Sequence, residues 1–287
     1  MNNEAYPRIA FVGGGNMARA LLGGLVRQGA ATSQLWVGEP LPAVRAALER
    51  ELGVRTSADN GEVVRQAALV VLAMKPQVAA QVLQPLHADL QAQRPLVLSI
   101  VAGLRIADLA RLCPAGLAIV RAMPNRPAML AAGITGLYAP PSVTAAQRAM
   151  AERIARAAGR IVWLRIEQQL DIVTALSGSG PAYFFLLAEH LARAAVSLGL
   201  DHDTAVLLAV ETLYGAGALA RGEATLAEQR AAVTSKGGTT EAALAVLHAG
   251  GFEELVAAAL RAAAARSAAI ADSLAATLGS LPGAARS

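Results

Sequence analysis

The fold is decided near the N-terminus by the stretch Ile9-Ala10-Phe11-Val12-Gly13-Gly14-Gly15-Asn16-Met17-Ala18. Its first four residues are all apolar, which predicts a strand that is buried on both faces. The glycines that follow match the pattern G-x-G-x-x-A. In such a turn Gly13 permits the tight bend, Gly15 lets the backbone approach a pyrophosphate, and Ala18 allows helix and strand to pack closely.

The glycine-rich turn predicts a dinucleotide site because it follows a strand and opens a helix. N–H groups exposed at a helix N-terminus attract phosphate. The pattern alone is weakly specific, and a purely structural glycine turn is the alternative. Its place at the first strand–helix junction of an alternating chain favours nucleotide binding. The predicted cofactor contacts in this turn are Gly13, Gly14, Gly15, Asn16 and Met17.

The first half of the chain alternates short apolar runs with amphipathic segments. The predicted strands are residues 9–12, 35–37, 69–73, 96–100 and 118–120. The predicted helices between and after them are residues 16–28, 42–52, 60–66, 77–87 and 106–112. Two more short strands, residues 133–138 and 161–164, flank a predicted helix over residues 144–158. This alternation predicts a Rossmann-type α/β domain with a parallel, doubly wound sheet.

After about Glu167 the chain changes to long Ala- and Leu-rich helical segments, and no strand is predicted there. The predicted helices are residues 168–176, 181–198, 202–221, 226–234, 240–249 and 252–278. We therefore expect a dinucleotide-binding domain over residues 1–165 and an all-α domain over residues 166–287. Apolar helices in a domain of about 120 residues bury more surface than one small bundle needs. The helical half is therefore expected to form a subunit interface.

Composition excludes several classes of protein. Hydrophobic residues make up 55% and charged residues 16%, which is not a disordered composition. The pI is about 9.7, but basic residues form no run, so a solvated Arg-rich surface is favoured over nucleic-acid binding. The most apolar stretch is Tyr183 to Leu200. It is interrupted by Glu189, His190 and Arg193, so no membrane span is expected.

The single cysteine, Cys113, permits no intrachain disulfide, which fits a reducing, cytoplasmic setting. A buried apolar role is more typical of such a residue than a nucleophilic one. The short polar N-terminus lacks the apolar region of a signal peptide. The four histidines are scattered, with no cysteine or carboxylate cluster at metal-ligand spacing, so no metal site is expected.

The end of the second predicted strand is where such folds distinguish NAD from NADP. Glu39 lies there, and its carboxylate can accept hydrogen bonds from a ribose 2′-OH and repel a 2′-phosphate. The alternative is that Glu39 points to solvent and Arg45 binds the phosphate of NADP. NADPH and NADH therefore both remain candidates, with a modest preference for NADH.

Four segments together carry a family resemblance. They are Ala73-Met74-Lys75-Pro76-Gln77, Arg121-Ala122-Met123-Pro124-Asn125-Arg126-Pro127-Ala128, Thr174-Ala175-Leu176-Ser177-Gly178-Ser179-Gly180-Pro181-Ala182-Tyr183 and Val233-Thr234-Ser235-Lys236-Gly237-Gly238-Thr239-Thr240. In this order and spacing the chain resembles the pyrroline-5-carboxylate reductases over nearly its full length. The resemblance implies reduction of a cyclic imine to L-proline by a nicotinamide cofactor. It also implies dimers or rings of dimers, with partner helices completing each active site.

The resemblance also implies roles for individual residues. Thr174 is expected to face the imine nitrogen as the catalytic hydroxyl. The expected substrate-binding residues are Ser177, Gly178, Glu223, Ser235, Gly237, Gly238, Thr239 and Thr240. Beyond the glycine turn, the expected cofactor contacts are Glu39, Asn60, Ala73, Met74, Lys75, Pro76, Val101 and Ala102. For Glu223, an exposed surface carboxylate is nearly as good an interpretation.

The residues themselves fit a carboxylate site in the second half. Gly237 and Gly238 free the backbone to turn its N–H groups inward, and Thr239 and Thr240 add hydroxyl donors. A simple turn and helix cap is the alternative interpretation. The chain departs from the family pattern at Arg126, where Thr is usual, and at Lys236, where Pro is frequent.

Three other functions are compatible with this layout. A β-hydroxyacid dehydrogenase needs a Lys-type acid/base on the first helix of its second domain, but no lysine occurs between Asp171 and Gly199. An imine reductase with a different substrate is kept open by Arg126. A non-catalytic nicotinamide-binding regulator would not need the Ser235 to Thr240 loop, which this chain retains.

Overall fold

The structure is a computed structural model that describes residues 6–280. Within these residues the chain divides into two compact units. The first unit covers residues 6–178 and 263–280, and the second covers residues 179–262. The predicted boundary at residue 165 separates a cofactor-binding domain from a helical domain. It stays a prediction.

The first unit is built on one eight-stranded sheet. In chain order the strands are β1 (Ile9–Val12), β2 (Leu35–Gly38), β3 (Arg55–Ser57), β4 (Leu69–Leu72), β5 (Leu96–Ser99), β6 (Ile119–Met123), β7 (Gly133–Tyr138) and β8 (Gly159–Trp163). Their order across the sheet is β3-β2-β1-β4-β5-β6-β7-β8. All neighbouring strands are parallel except β6 and β7, which are antiparallel. The predicted Rossmann-type sheet is confirmed, with one antiparallel pair added.

Helices cover both faces of the sheet. Those of the first unit are α1 (Asn16–Arg27), α2 (Pro42–Leu52), α3 (Asn60–Val64), α4 (Ala79–Leu83), α5 (His87–Gln93), α6 (Ile106–Leu112), α7 (Ala145–Ala155) and α8 (Gln169–Val173). Strand β1 shows the layering, since Ile9 and Phe11 join the core on one face. Ala10 and Val12 join the core on the other face. All four are buried, as the continuous apolar run predicted.

The second unit is helical throughout. Its helices are α9 (Gly180–Ser197), α10 (His202–Leu219), α11 (Leu226–Ala232) and α12 (Thr239–Ala249). The last helix, α13 (Phe252–Gly279), begins in this unit, and its C-terminal part belongs to the first unit. The all-α prediction for the second half is confirmed over the described residues.

Two local predictions were wrong. Strand β3 was missed because Arg55, Thr56 and Ser57 are polar; they pair along β2 at one edge of the sheet, where burial is partial. The apolar run at Leu69 is therefore the fourth strand and not the third. The predicted helix over residues 77–87 is instead a 3₁₀ turn and the short helix α4, with α5 starting only at His87. Pro85 lies between α4 and α5 and lacks an N–H to continue the helical bonding.

Helix α8 passes directly into a π-helical turn, Thr174–Gly178. The sequence predicted a break between the helices over residues 168–176 and 181–198. The structure shows a widened turn, a bend at Ser179 and the start of α9 at Gly180, with Pro181 in its first turn. The helix that begins the second half is thus reshaped at the segment where the substrate-facing hydroxyls were expected.

Candidate active site

The strand order reverses between β1 and β4. Strands β2 and β3 lie on one side of β1, whereas β4 and the strands after it lie on the other side. In open α/β sheets, ligands bind at such a switch point, outside the carboxyl ends of the strands. Gly13 follows β1 and Ala73 follows β4, so both lie at this point. The fold therefore places the glycine-rich turn where a nucleotide site is expected.

Gly13 cannot be replaced without strain. Its φ is +106°, and a Cβ atom there would lie 2.8 Å from the carbonyl oxygen of Ala73. Its N–H donates to the carbonyl oxygen of Gly38 at 2.8 Å. The turn is thus fixed between the ends of β2 and β4, as the tight-bend interpretation of this glycine predicted.

Gly15 is different, because no heavy atom of residues 6–280 lies within 4 Å of the position of an added Cβ. It is the N-cap residue of α1, in an extended conformation, and no side chain caps this helix. No acidic residue occupies the first turn of α1. A helix N-terminus with free N–H groups and open space above it fits a pyrophosphate.

Glu39 does not point to solvent, so that part of the alternative interpretation was wrong. It is 9% exposed, and its carboxylate accepts hydrogen bonds from the N–H of Gly14 and of Leu41, both at 3.0 Å. Arg45 donates from Nη1 to the carbonyl oxygens of Glu39 and Pro40, at 2.7 and 2.9 Å. The carboxylate is therefore held against the glycine turn at the end of β2.

Asn60 lies beside the same strand end. A Cβ on Gly38 would be 2.0 Å from Asn60 Oδ1, so only glycine leaves room for this side chain. Asn60 is the first residue of α3, whose N-cap Asp59 accepts from Gly61 N–H. Asn60 Oδ1 is buried and has no hydrogen-bond partner in the described part of the chain. An acceptor in this state fits a cleft that a donor group enters on ligand binding.

The ends of β4 and β5 supply the other expected cofactor contacts. Ala73 N–H donates to Val12 O at 2.9 Å, which fixes the start of the Ala73, Met74, Lys75, Pro76 segment. Lys75 is exposed and precedes a 3₁₀ turn that starts at Pro76. After β5, Val101 is buried and Ala102 is exposed. These segments and the glycine turn all lie at the carboxyl ends of the parallel strands.

The π-helical turn holds Thr174, Ser177 and Gly178. The Thr174 hydroxyl donates to Leu170 O at 2.7 Å, and the Ser177 hydroxyl donates to Val173 O at 2.9 Å. Each hydroxyl thus donates its proton to a carbonyl of the preceding turn. Its oxygen lone pairs can still accept a hydrogen bond from a ligand.

Two polar contacts that hold this region were not predicted from the sequence. Asn125 is 8% exposed and donates from Nδ2 to Ser177 O at 3.1 Å. Arg121 and Glu167 form an ion pair at 2.7 Å, and the same carboxylate oxygen accepts from Ile106 N–H at 2.7 Å. An arginine inside the apolar strand β6 was the available signal, but its partner lies 46 residues away.

In the second unit the expected carboxylate loop leads into α12. Gly238 is the N-cap, and no side chain caps the helix. Gly237 N–H donates to Glu241 Oε2 at 2.6 Å, and Gly238 N–H donates to Ser235 O at 3.0 Å. The two glycine N–H groups are therefore already used within the loop. The donors left for an anion in the first turn of α12 include those of Thr239 and Thr240.

The remaining predicted positions are exposed in the single chain. Glu223 lies in the α10–α11 connection and is exposed. Ser235 and Lys236 are exposed, as is Arg126 at the start of the 3₁₀ turn after β6. The structure thus shows the two departures from the family pattern, Arg126 and Lys236, as surface cations.

Cys113 is buried, and desolvation raises the pKa of its thiol to about 12. A thiol with so high a pKa is not a nucleophile at neutral pH. Among residues 6–280 there is no group of three His, Cys, Asp or Glu side chains placed to hold a metal ion.

By length and composition alone, one helix, Gln169–Ser197, could cross a membrane. The bent pair Thr239–Ala249 and Phe252–Gly279 passes the same test when counted together. Helices that pack in a subunit interface have the same composition, so a single helix of this kind is weak evidence of a membrane span.

Two family models match the chain. Residues 8–103 match the model described as NADP oxidoreductase coenzyme F420-dependent. Residues 167–270 match pyrroline-5-carboxylate reductase dimerisation. The chain is 45% identical to the pyrroline-5-carboxylate reductase of Pseudomonas aeruginosa, over 93% of this chain and 98% of that protein. It is 41% identical to the one from Haemophilus influenzae, over 90% and 96%.

Two solved structures of pyrroline carboxylate reductases are similar to this chain over most of its length. The pyrroline-5-carboxylate reductase of Coxiella burnetii superimposes with a TM-score of 0.88 at 39% identity, over 92% of this chain and 98% of that one. The Plasmodium falciparum pyrroline carboxylate reductase with NADP bound gives a TM-score of 0.80 at 26% identity, over 94% and 100%.

The open glycine turn at the strand-order reversal defines the class, an NAD(P)H-dependent oxidoreductase with a Rossmann-type domain. Its helical half is a dimerisation domain, so the chain self-associates. The chain belongs to the pyrroline-5-carboxylate reductase family.

Proposed function

We propose that this chain performs its family's reaction, the transfer of hydride from NAD(P)H to the C=N carbon of 1-pyrroline-5-carboxylate. The uncapped N-terminus of α1 beneath the open space at Gly15 supports binding of the nicotinamide cofactor, and membership of the family supports the imine substrate. The reduced nicotinamide supplies the hydride, and the imine nitrogen takes up a proton, giving L-proline and the oxidised cofactor. The protein's contribution is to hold the two reactants in contact.

Thr174 is proposed to face the imine nitrogen. Since its hydroxyl proton is donated to Leu170 O, the oxygen can accept a hydrogen bond from a protonated imine. A protonated imine is already an electrophile, so no strong enzymic acid is needed. The role proposed for Thr174 is therefore to orient the iminium N–H, with Ser177 and Gly178 beside it in the same turn.

The substrate carboxylate is proposed to bind at the start of α12. Thr239 and Thr240 offer N–H groups and side-chain hydroxyl donors at an uncapped helix end, where the helix dipole favours an anion. Gly237, Gly238 and Ser235 shape the loop through their own hydrogen bonds. Glu223 is proposed to lie near the same substrate in the assembled enzyme.

The experiment that tests the function is a spectrophotometric assay of NADH and NADPH oxidation. Oxidation is expected with pyrroline-5-carboxylate and not without substrate or with a β-keto acid. Full activity with the keto acid and none with the imine would support a hydroxyacid dehydrogenase. Tight nicotinamide binding with no turnover of either compound would support a regulator.

Thr240→Ala is expected to raise KM for the imine and to leave cofactor affinity unchanged. Loss of one hydrogen bond to a charged carboxylate costs about 1.5–3 kcal/mol, or roughly 10- to 150-fold. Initial rates at varied imine and fixed cofactor measure the effect. Thr277→Ala is a matched control, because Thr277 is an exposed helical threonine whose hydroxyl donates to Ser273 O. A loss of nucleotide affinity in Thr240→Ala would show that α12 does not serve the carboxylate.

The cofactor preference is proposed to be for NADH. The Glu39 carboxylate is held at the end of β2, where a 2′-phosphate would approach. Arg45 is engaged by main-chain oxygens of the same segment. We expect a higher kcat/KM with NADH than with NADPH, and a shift of at least about tenfold toward NADPH in Glu39→Gln, which removes one charge. A preference for NADPH in the unmodified chain would contradict this assignment.

The remaining proposals concern the setting of the enzyme. We propose that residues 1–165 bind the cofactor, that residues 166–287 bind substrate and dimerise, and that dimers assemble further into rings. We propose a cytoplasmic enzyme that binds neither membrane nor nucleic acid and needs no metal. Gel filtration with light scattering measures the assembly, and fractionation of cells measures the location.

A further inference from the structure

After the π-helical turn Thr174–Gly178, the backbone carbonyl of Ser177 lacks its ordinary helical donor. In an α-helix the carbonyl oxygen of Ser177 would accept from the N–H of residue 181. That residue is Pro181, which has no N–H. The next N–H along, that of Ala182, donates to Ser179 O instead. A buried carbonyl without a partner is costly, so a donor from outside the helix is needed.

Asn125 supplies that donor. Its Nδ2 lies 3.1 Å from Ser177 O, while its Oδ1 accepts from Ile134 N–H at 2.9 Å. Because a backbone N–H can only donate, the contact with Ile134 fixes which end of the amide faces Ser177. The side chain is buried, with 8% exposure. It thus joins the end of β6 and the start of β7 to the π-helical turn.

The contact with Asn125 is made at the same turn that carries the hydroxyls of Thr174 and Ser177. Thr174 and Ser177 each donate a hydrogen bond to a carbonyl one turn earlier. The direction of the free lone pairs on each hydroxyl oxygen therefore depends on the backbone conformation of the turn. On the Gly178 side, an added Cβ would lie 3.0 Å from Met123 Cε. The turn is therefore anchored by the hydrogen bond from Asn125, just after β6, and Met123 at the end of β6 leaves little room for a side chain at Gly178.

We propose that Asn125 is a positioning residue for the imine, which acts by holding Ser177 O and so fixing the direction of the Thr174 hydroxyl. This rests on the proposed function. Asn125 itself touches neither substrate nor cofactor in this proposal. Its loss therefore affects the hydride-transfer step and leaves nucleotide binding intact.

The test is the near-isosteric substitution Asn125→Asp. The carboxylate can still accept from Ile134 N–H, but it presents a negative oxygen and no donor to Ser177 O. At pH 8 we expect kcat with pyrroline-5-carboxylate to fall about 10- to 100-fold, the range for a buried carbonyl deprived of its donor. The dissociation constant of the reduced cofactor, measured by fluorescence titration, should stay within a factor of two or so of the unmodified chain.

The pH profile separates positioning from a general loss of structure. A carboxyl group facing a carbonyl oxygen has its pKa raised, and its protonated form is again an O–H donor to Ser177 O. The ratio of variant to unmodified kcat should therefore rise toward one as pH falls through that pKa. A ratio that stays constant with pH would overturn the proposal.

Gln28→Glu is the matched control. Gln28 is an exposed amide that donates to Arg156 O and accepts from Tyr6 Oη, the same bonding pattern away from the site. Its substitution should leave kcat unchanged at every pH. If Asn125→Asp does not fold, Asn125→Gln keeps both amide groups one methylene farther out and is expected to fold, bind cofactor and lose kcat. Unchanged kcat in either folded variant refutes the role of Asn125, whereas an unmodified chain inactive on the imine refutes the proposed function.

Discussion

The substitution Gly15→Asp is expected to leave the chain folded and to abolish cofactor binding at working concentrations. Open space surrounds the position of the new Cβ, and the backbone of Gly15 is extended, which any residue can adopt. Aspartate is also a favoured N-cap residue, so the stability of the apoprotein should change by only a few tenths of a kcal/mol. The pyrophosphate, however, would meet a carboxylate at the helix N-terminus.

The size of this effect follows from electrostatics. Two like charges about 4 Å apart near a protein surface repel by about 4 kcal/mol, and a second phosphate charge adds to this. The dissociation constant of NADH or NADPH should therefore rise by about 1000-fold, as measured by fluorescence titration. Thermal unfolding without cofactor should be unchanged. Nucleotide affinity within tenfold of the unmodified chain would place the pyrophosphate elsewhere.

Gly13→Ala provides the contrast. At Gly13 the positive φ and the approach to Ala73 O both disfavour a side chain, so the strain costs roughly 1–2 kcal/mol even before the clash is counted. This variant should lower the unfolding temperature without cofactor, which Gly15→Asp should not. The two glycines of one motif are thus expected to fail in different ways.

The second large effect concerns the dimer. The helical unit exposes many large apolar side chains in the single chain, including Phe184, Leu187 and Leu191 on α9 and Leu207 and Tyr214 on α10. Such surfaces usually mark interfaces, and this region matches a dimerisation family. The double substitution Phe184→Asp with Leu191→Asp is therefore expected to yield a folded monomer without activity.

Symmetry multiplies the cost of these two changes. In a two-fold dimer each substitution occurs twice, and each buried Phe or Leu is worth about 1.5–3 kcal/mol, so the loss is about 6–12 kcal/mol before the added charges are counted. Phe184 and Leu191 are 59% and 55% exposed in the single chain, so its own fold should tolerate the change. Sedimentation velocity and the imine assay measure the two outcomes.

Arg160→Asp is the control for added negative charge. Arg160 is exposed on the edge strand β8 of the first unit, and its substitution should leave both assembly and activity unchanged. A monomeric double variant that keeps full kcat would show that one subunit contains a complete site. A dimeric double variant would show that α9 lies outside the interface.

Sequence alone determined the elements whose signal is local. The apolar run at Ile9 predicted a doubly buried strand, because burial on both faces removes any need for polar alternation. The glycine turn predicted a nucleotide site, because a side chain at Gly13 or Gly15 would block the tight bend or the approach of the pyrophosphate. The loss of strands after Glu167 and the four motif segments predicted the helical half and the family. All of these signals can be read along the chain without knowing which distant segments become neighbours.

Tertiary structure decided every feature that depends on which distant segments become neighbours. Strand β3 exists because β2 offers it an edge, although Arg55, Thr56 and Ser57 carry no strand pattern. Gly24 looks like an ordinary residue of α1, yet its added Cβ would lie 1.9 Å from Ala157 O, so α1 packs directly on that backbone. Sequence periodicity carries no information on such approaches, because they are set by the packing of elements over 100 residues apart.

The same limit applies to the site. Glu39 was placed at the cofactor edge from the sequence, but only the fold shows its carboxylate bonded to Gly14 N–H. Asn125 was visible only as one letter of a motif, and its bond to Ser177 O spans 52 residues. Residue types fix which hydrogen bonds are possible, whereas the fold fixes which of them are made, because packing decides which donors and acceptors come within about 3 Å of each other.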